Sequence, residues 1–262
     1  MATPLIALIT DFGWKDGYVG AMKGVILSIN PSCQIFDVAH EIEAHDVTGA
    51  ALVLESVFPY FPPRSIFLVI VDPGVGGNRR GIVVKAGDKL LVGPDNGVFS
   101  LVLQSCAFEA YEITEERYML PKVSATFHGR DVFAPVAAHL TIGVRPEQVG
   151  PRLDPTELKF IPMPMPRKQG QETIGQVIYV DRFGNLITNL KQEDFRGEDV
   201  LIEVEGEEIY GIKRTYQEGQ PGEVIALWGS HGRLELAIRE QSLKRTKGWS
   251  VGTEVRVKPR PR

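Results

Sequence analysis

LIALITDFGWKDGYVGAMKGVILSINPSCQIFDVA, residues 5–39, is the stretch from which the fold is read. It opens on LIALIT (5–10) and closes on QIFDVA (34–39), two short runs rich in β-branched and apolar side chains. Between them, Tyr18 to Ile29 sets Val19, Met22, Val25, Ile26 and Ile29 on one face at helical spacing. Working outward, Val47 to Phe58 repeats the helical arrangement, and SIFLVIV (65–71), GIVVKA (81–86) and KLLVG (89–93) add further strands. Strands alternating with helices predict an α/β domain with a mostly parallel, Rossmann-like sheet flanked by helices. One more helix is expected over Val132–Ile142, after a glycine.

The segment 151–170, PRLDPTELKFIPMPMPRKQG, carries five prolines, which lack a backbone donor and fix φ. No regular element is expected to run through it, and it reads as a linker. Beyond it, IGQVIYV, LITNL, VLIEVEG, EVIALWG, RLELAI and TEVRVKP are β-like runs broken by turn signals, with no long helical period. A smaller all-β barrel domain is the expectation. Two domains follow, an α/β domain over 1–160 and a barrel over 171–262.

The chain has 262 residues, of which 43% are hydrophobic, enough to form such cores. Its formal charge of −4 is dispersed and lacks a basic block, which argues against nucleic acid or an acidic membrane as partner. Cys33 and Cys106 lack the number and spacing of a disulfide framework or a zinc set, and both are expected to be buried and reduced. The apolar start meets Asp11 too soon for a signal peptide, and nowhere do about 20 apolar residues run together. A cytoplasmic protein is expected.

Asp11 and Asp72 each follow a β-run, and in open parallel sheets ligands bind outside the carboxyl ends of the strands. Asp11 also suits a turn or helix cap, since Gly13, Asp16 and Gly17 follow it. Asp72 opens DPGVGGNRR (72–80), whose glycines let the backbone return Arg79 or Arg80 towards the carboxylate. A phosphate cradle is disfavoured, because the loop lacks a GK[ST] ending and leads into a strand. In TFHGRDVF (126–133), His128 can donate to a ligand oxygen or pair with a carboxylate, and Asp131 can cap the helix that follows. His40, Glu41, Glu43, His45 and Asp46 have zinc-ligand chemistry, but their spacing is not HExxH and they leave a strand to start a helix, so no metal site is expected. No nucleophile elbow is present. In DRFGNLITN (181–189), Asp181, Phe183 and Asn185 surround Gly184, a pattern that by composition reads as a hairpin turn.

Taken in order, TDFGWKDGYVGAMKGVI, VDPGVGGNRR, GPDNGVFS (93–100), TFHGRDVFAPVAAHL, DRFGNLITN and GSHGRLELA (229–237) resemble the S-adenosyl-L-methionine hydroxide adenosyltransferase family, the adenosine-forming hydrolases of that sulfonium. The family is related to the enzymes that attach fluoride or chloride to the same C5′ carbon. The resemblance implies an N-terminal α/β domain, a C-terminal barrel, and a homotrimer whose ligand sites lie between one subunit's N-terminal domain and a neighbour's C-terminal domain. It places a catalytic Asp-Arg-His set on Asp72, Arg79 and His128, with Arg80 as the alternative arginine. It further implies that Asp11 holds the ribose hydroxyls, Asp181 the methionine ammonium and Ser230 the methionine carboxylate, with Phe183 and Asn185 near the adenine. After LELA the chain reads IREQSLKR and departs from the family pattern, so Ile238 and Arg239 receive no role.

The function that follows is hydrolysis of S-adenosyl-L-methionine to adenosine and L-methionine by in-line attack of water or hydroxide at C5′, with no cofactor and no metal. The rivals are a chloride-using halogenase, a non-catalytic sensor of S-adenosylmethionine or adenosine, a metal-dependent hydrolase and a transmethylase. The presence of the Asp-Arg-His set favours water over halide and catalysis over sensing. Trp14, beside Asp11, is a candidate wall for the sulfonium.

Overall fold

The computed structural model describes residues 5–260 apart from Arg196 and Glu198, so the first four residues of the apolar N-terminal run lie outside what is described. The chain divides into two compact units, with the boundary between Ile161 and Pro162.

The first unit is a seven-stranded sheet with helices on both faces. Its strands are β1 (Leu5–Thr10), β2 (Gln34–Ala39), β3 (Ile66–Ile70), β4 (Gly81–Ala86), β5 (Lys89–Pro94), β6 (Phe108–Glu112) and β7 (Arg152–Leu153), in the spatial order β2-β1-β3-β5-β4-β6-β7. The neighbours β2, β1, β3 and β5 run parallel. The other half is antiparallel, because β4 and β5 form a hairpin around Gly87, at φ +59°, and β6 and β7 continue the alternation. The strand runs 81–86 and 89–93 are separated by two residues, too few for a crossover helix, so they must pair antiparallel.

All residues of β1 and β3 are buried, as expected of strands covered on both faces. Ile6 and Leu8 meet Met22 and Ile26 of α1 (Tyr18–Ile29), while Ala7 and Ile9 face Ala50 and Leu54 of α2 (Val47–Val57). The four-residue helix α3 (Ser100–Leu103) packs on the α2 side, and α4 (Ala134–Thr141) on the α1 side. The helix expected from Val132 starts as a π-helical turn, Gly129–Phe133, and becomes α-helical only from Ala134. Cys33 is buried and Cys106, three residues past α3, only partly so, and neither is in a disulfide.

The proline-rich segment contains no long element, yet it is not featureless: β7 closes one side of the first sheet, and β8 (Arg167–Gln169) pairs with the second. The second unit is an antiparallel sheet of β9 (Glu172–Val180), β10 (Leu186–Lys191), β11 (Val200–Val204), β12 (Glu207–Tyr210), β13 (Val224–Trp228), β14 (Arg233–Ile238) and β15 (Glu254–Pro259), ordered β12-β11-β15-β9-β10-β14-β13. The backbone N–H of Lys213, just past β12, donates to Ala226 of β13 at 2.8 Å and nearly closes the sheet into a barrel. Its interior holds Val177, Leu186, Ile202, Leu236 and Val257, and the short α5 (Leu243–Lys247) packs on β14. No helix among the described residues is long and apolar enough to cross a membrane.

Candidate active site

The parallel strands β1 and β3 end at one edge of the first sheet, which places Asp11 and Asp72 there. Strand β4 runs the other way, so its first residue, Gly81, lies at that same edge. The loop 72–80 therefore stays on this edge, folded by the turns Val75 N–H to Asp72 O (3.2 Å) and Gly77 N–H to Gly74 O (3.0 Å). It returns Arg79 onto Asp72: Nε lies 2.9 and 3.0 Å from the two carboxylate oxygens, and Nη2 also donates to Oδ2. The Asp72 side chain is only 6% exposed, so this pairing satisfies a nearly buried carboxylate. Arg80 points elsewhere, donating to Asp95 Oδ2 (2.8 Å) and to the Glu157 carbonyl. Of the two arginines, the structure thus brings Arg79 to Asp72.

The same Nη2 of Arg79 lies 2.8 Å from His128 Nδ1. A guanidinium only donates, so Nδ1 must be the acceptor and the imidazole is neutral with its proton on Nε2. The electrostatics agree: burial and the adjacent Arg79 hold His128 below the ordinary histidine range, against an upward pull from Asp72 and Asp131. Among the described residues Nε2 has no hydrogen-bond partner. Asp72, Arg79 and His128 therefore form a chain with the arginine at its centre. The Phe133 ring lies 5.1 Å from the guanidinium, and a cavity of about 910 Å³ opens beside Arg79 and His128.

The segment carrying His128 is held from below. Asp131 does not cap a helix; its fully buried carboxylate accepts from Ser124 N–H (2.8 Å) and from Arg130 (2.9 Å). This sets Ala125 against the arginine loop at Gly76, where φ is +74° and a Cβ would stand 2.2 Å from the Ala125 carbonyl oxygen. Only glycine permits that approach. Phe127 packs with Phe12 and Tyr18 in an aromatic trio with centroids 5.2 to 5.8 Å apart.

Asp11 Oδ2 accepts from the backbone N–H of His45 at 2.9 Å, while Oδ1 has no donor among the described residues. Trp14 is 57% exposed beside it. The His/Glu/Asp cluster at 40–46 disperses: His40 turns inward to Thr10 and Asp37, His45 contributes its backbone, and Asp46 caps α2 through Gly49 N–H at 2.8 Å. Among the described residues no three His, Cys, Asp or Glu side chains gather as a metal site.

In the second unit, residues 181–185 form the turn between β9 and β10, with Gly184 at φ +84°. Both Asp181 oxygens accept from Asn185, at 2.8 Å from its N–H and 3.1 Å from Nδ2. Phe183 is 75% exposed and Ser230 is exposed. The sequence reasoning missed a neighbouring group: Tyr216 donates to the buried Glu235 at 2.6 Å, and His231 Nε2 lies 3.4 Å from the same carboxylate. Burial and the Glu235 acceptor push the Tyr216 phenol well above its usual value. Glu235 sits within GSHGRLELA, which is the signal that pointed to this region; nothing in the sequence singled out Tyr216.

Comparison with known proteins gives this geometry a context. The (R)-S-adenosyl-L-methionine hydrolase of Salinispora tropica is 36% identical over 260 residues, covering 97% of this chain and 98% of that protein. The fluorinase of Nocardia brasiliensis is more distant, 26% identical with 97% of each chain covered. A crystal structure of an uncharacterised conserved protein from Thermotoga maritima superposes with a TM-score of 0.89 at 37% identity, covering 96% of this chain and 99% of the other. The SAM hydroxide adenosyltransferase N-terminal domain matches residues 6–150 and the C-terminal domain residues 175–256. The chain belongs to the SAM hydroxide adenosyltransferase family.

Proposed function

We propose that this chain hydrolyses S-adenosyl-L-methionine to adenosine and L-methionine by in-line attack of an oxygen nucleophile at the ribose C5′ carbon. The observation that carries the reading is Arg79 bridging the Asp72 carboxylate and a neutral His128. The sulfonium is already a good leaving group, so the protein's task is to hold the oxygen behind C5′ and stabilise its charge. Outright deprotonation of water by an ordinary carboxylate spans about 12 pKa units, roughly 16 kcal/mol, too much for a simple base. Asp72, with both oxygens occupied by Arg79, instead fixes the guanidinium, while Arg79 and the Nε2–H of His128 supply donors to a hydroxide ion taken from solvent; the C5′–O bond forms as the C5′–S bond breaks, the two charges cancel and no proton is left to place.

In the remainder of the proposal, Asp11 binds the ribose hydroxyls, Asp181 the ammonium, Ser230 the carboxylate, and Phe183 and Asn185 the adenine. A homotrimer in which a neighbouring subunit completes each site is part of the proposal, and the exposed Phe183 and Trp14 leave apolar surface that such a contact would cover. The enzyme is proposed to be cytoplasmic and to need neither metal nor cofactor. Relatives named hydrolases at 36% identity, against 26% for a fluorinase, support water over halide.

The test is incubation of chelator-treated protein with the (R) sulfonium epimer in ¹⁸O-labelled water, followed by mass spectrometry of the nucleoside. Adenosine carrying ¹⁸O is expected. Unconsumed substrate would overturn the proposal, as would a chlorinated nucleoside formed when chloride is added. Substitutions Asp72→Asn, Arg79→Ala and His128→Ala are each expected to slow turnover by about 10² to 10⁴-fold with little change in KM.

A further inference from the structure

His40 belongs to the histidine and carboxylate cluster that the catalytic reading leaves unused, and its side chain is completely buried. Its Nδ1 lies 2.8 Å from Thr10 Oγ1 and its Nε2 lies 2.9 Å from Asp37 Oδ1. The partners at both ends restrict the direction of these bonds when the ring is neutral. A carboxylate cannot donate, so Nε2 carries the proton, and in the neutral ring Nδ1 accepts the Thr10 hydroxyl proton. At the other end the Phe12 backbone N–H donates to Thr10 Oγ1 at 3.3 Å and cannot accept. Lys23 completes the set, with Nζ 2.6 Å from the second Asp37 oxygen.

The same residues enclose the turn that carries Asp11. The Gly13 N–H donates to the His40 carbonyl at 2.6 Å, with Gly13 at φ +66°. The Trp14 ring stands edge-on to the His40 ring at 4.6 Å, and Lys23 Nζ lies 5.6 Å from the Trp14 ring centre. Asp11, the residue between Thr10 and Phe12, is tied on its other side to His45 N–H, leaving Oδ1 without a donor among the described residues. Three elements, the ends of β1 and β2 and the first turns of α1, thus converge on four residues.

We infer that Thr10, His40 and Asp37 form a one-way hydrogen-bond relay that positions Asp11 for a ribose diol, an inference that rests on the S-adenosylmethionine reading of the site. Thr10 and His40 are positioning residues; neither touches the substrate. A relay that serves only the core would change stability without regard to the ligand's hydroxyls. A relay that aims Asp11 couples specifically to them.

The experiment measures binding of adenosine and of 2′,3′-dideoxyadenosine to the full-length protein and its Thr10→Val and Thr10→Ser variants by calorimetry. Valine matches the shape of threonine and removes the hydroxyl, and circular dichroism confirms that each variant is folded. Thr10→Val is expected to weaken adenosine binding about tenfold, the equivalent of one lost hydrogen bond's orientation, and dideoxyadenosine binding by less than about threefold. Thr10→Ser is expected to recover most of the adenosine affinity. Equal losses for both nucleosides, or no loss for either, would overturn the relay while leaving the proposed function standing. Failure of the unaltered protein to bind adenosine at all would instead overturn the ribose site itself.

Discussion

Replacing Gly76 by alanine tests whether the two loops of the candidate active site are held in register by direct backbone contact. The position has φ +74°, and an alanine Cβ would lie 2.2 Å from the carbonyl oxygen of Ala125, where real contacts stay beyond 3.0 Å. The left-handed conformation alone costs about 1–2 kcal/mol for a residue with a Cβ. Because the obstructing atom belongs to the backbone, the loops must separate by about 0.8 Å or more. Such a shift falls on the Arg79–His128 contact of 2.8 Å, and misplacement by about 1 Å typically costs about 10²-fold in rate. The expected outcome is a loss of about 2 kcal/mol in stability, a fall in melting temperature of about 4–8 °C, and a kcat reduced about 100-fold with KM little altered. Adenosine formation followed by chromatography, with thermal unfolding on the same sample, reads both quantities. A folded Gly76→Ala protein with kcat within twofold of the parent would refute the reasoning.

Three further outcomes are expected. Arg80→Ala, which removes a partner of the buried Asp95, should lower stability by about 1–3 kcal/mol yet leave kcat within about threefold, in contrast to Arg79→Ala; steady-state kinetics and thermal unfolding compare the two. The acid limb of kcat should lie below the ordinary histidine value of about 6.5, because the neutral His128 needed to accept from Arg79 persists until pH falls through its depressed pKa; a pH–rate profile checks this. By the same sign, the stability that His128 contributes is fully present above the unfolded histidine value and is lost as pH falls through the folded one, so His128→Gln should flatten the pH dependence of unfolding in that window.

Much of the fold was legible because burial on both faces leaves a plain mark. LIALIT and IFLVI are apolar but for Thr10, and α1 carries Val19, Met22 and Ile26 on its buried face, as its period predicts. The direction of β4 was not evident from its own composition, since a doubly covered strand looks alike in either orientation; the two-residue gap before β5 held that information. At the site, Asp72, Arg79 and His128 were named from motifs, but the distinction between adjacent arginines depends on side-chain direction, which alternates along the chain leading into β4. Arg79 turns to Asp72 and Arg80 to Asp95. At 40–46 residue type alone suggests ligation and the spacing argues against it; what the sequence does not show is where the polar atoms go, which for His40 and Asp46 is within the fold. Asp131, read as a cap, serves Ser124 because a π-helical turn, invisible to periodicity, precedes α4.

The pairing of Asp72 with Arg79 beside an uncharged His128 makes the three side chains neutral as a group. The proposed reaction begins with a cationic sulfur and a hydroxide-like oxygen whose negative charge is spent in forming the C5′–O bond, and it ends with an alcohol and a thioether. Opposite charges are annihilated along its course. A neutral trio does not repel the sulfonium on arrival, and it offers no monopole to which the uncharged sulfur product would cling. Long-range attraction of the cationic substrate then falls to carboxylates outside the trio, Asp11 and Asp181 among them, and to the −4 charge of the whole chain, which dissolved ions screen, whereas the nearly buried Asp72–Arg79 pair is screened much less. Ionic strength would thus bear on capture and spare turnover.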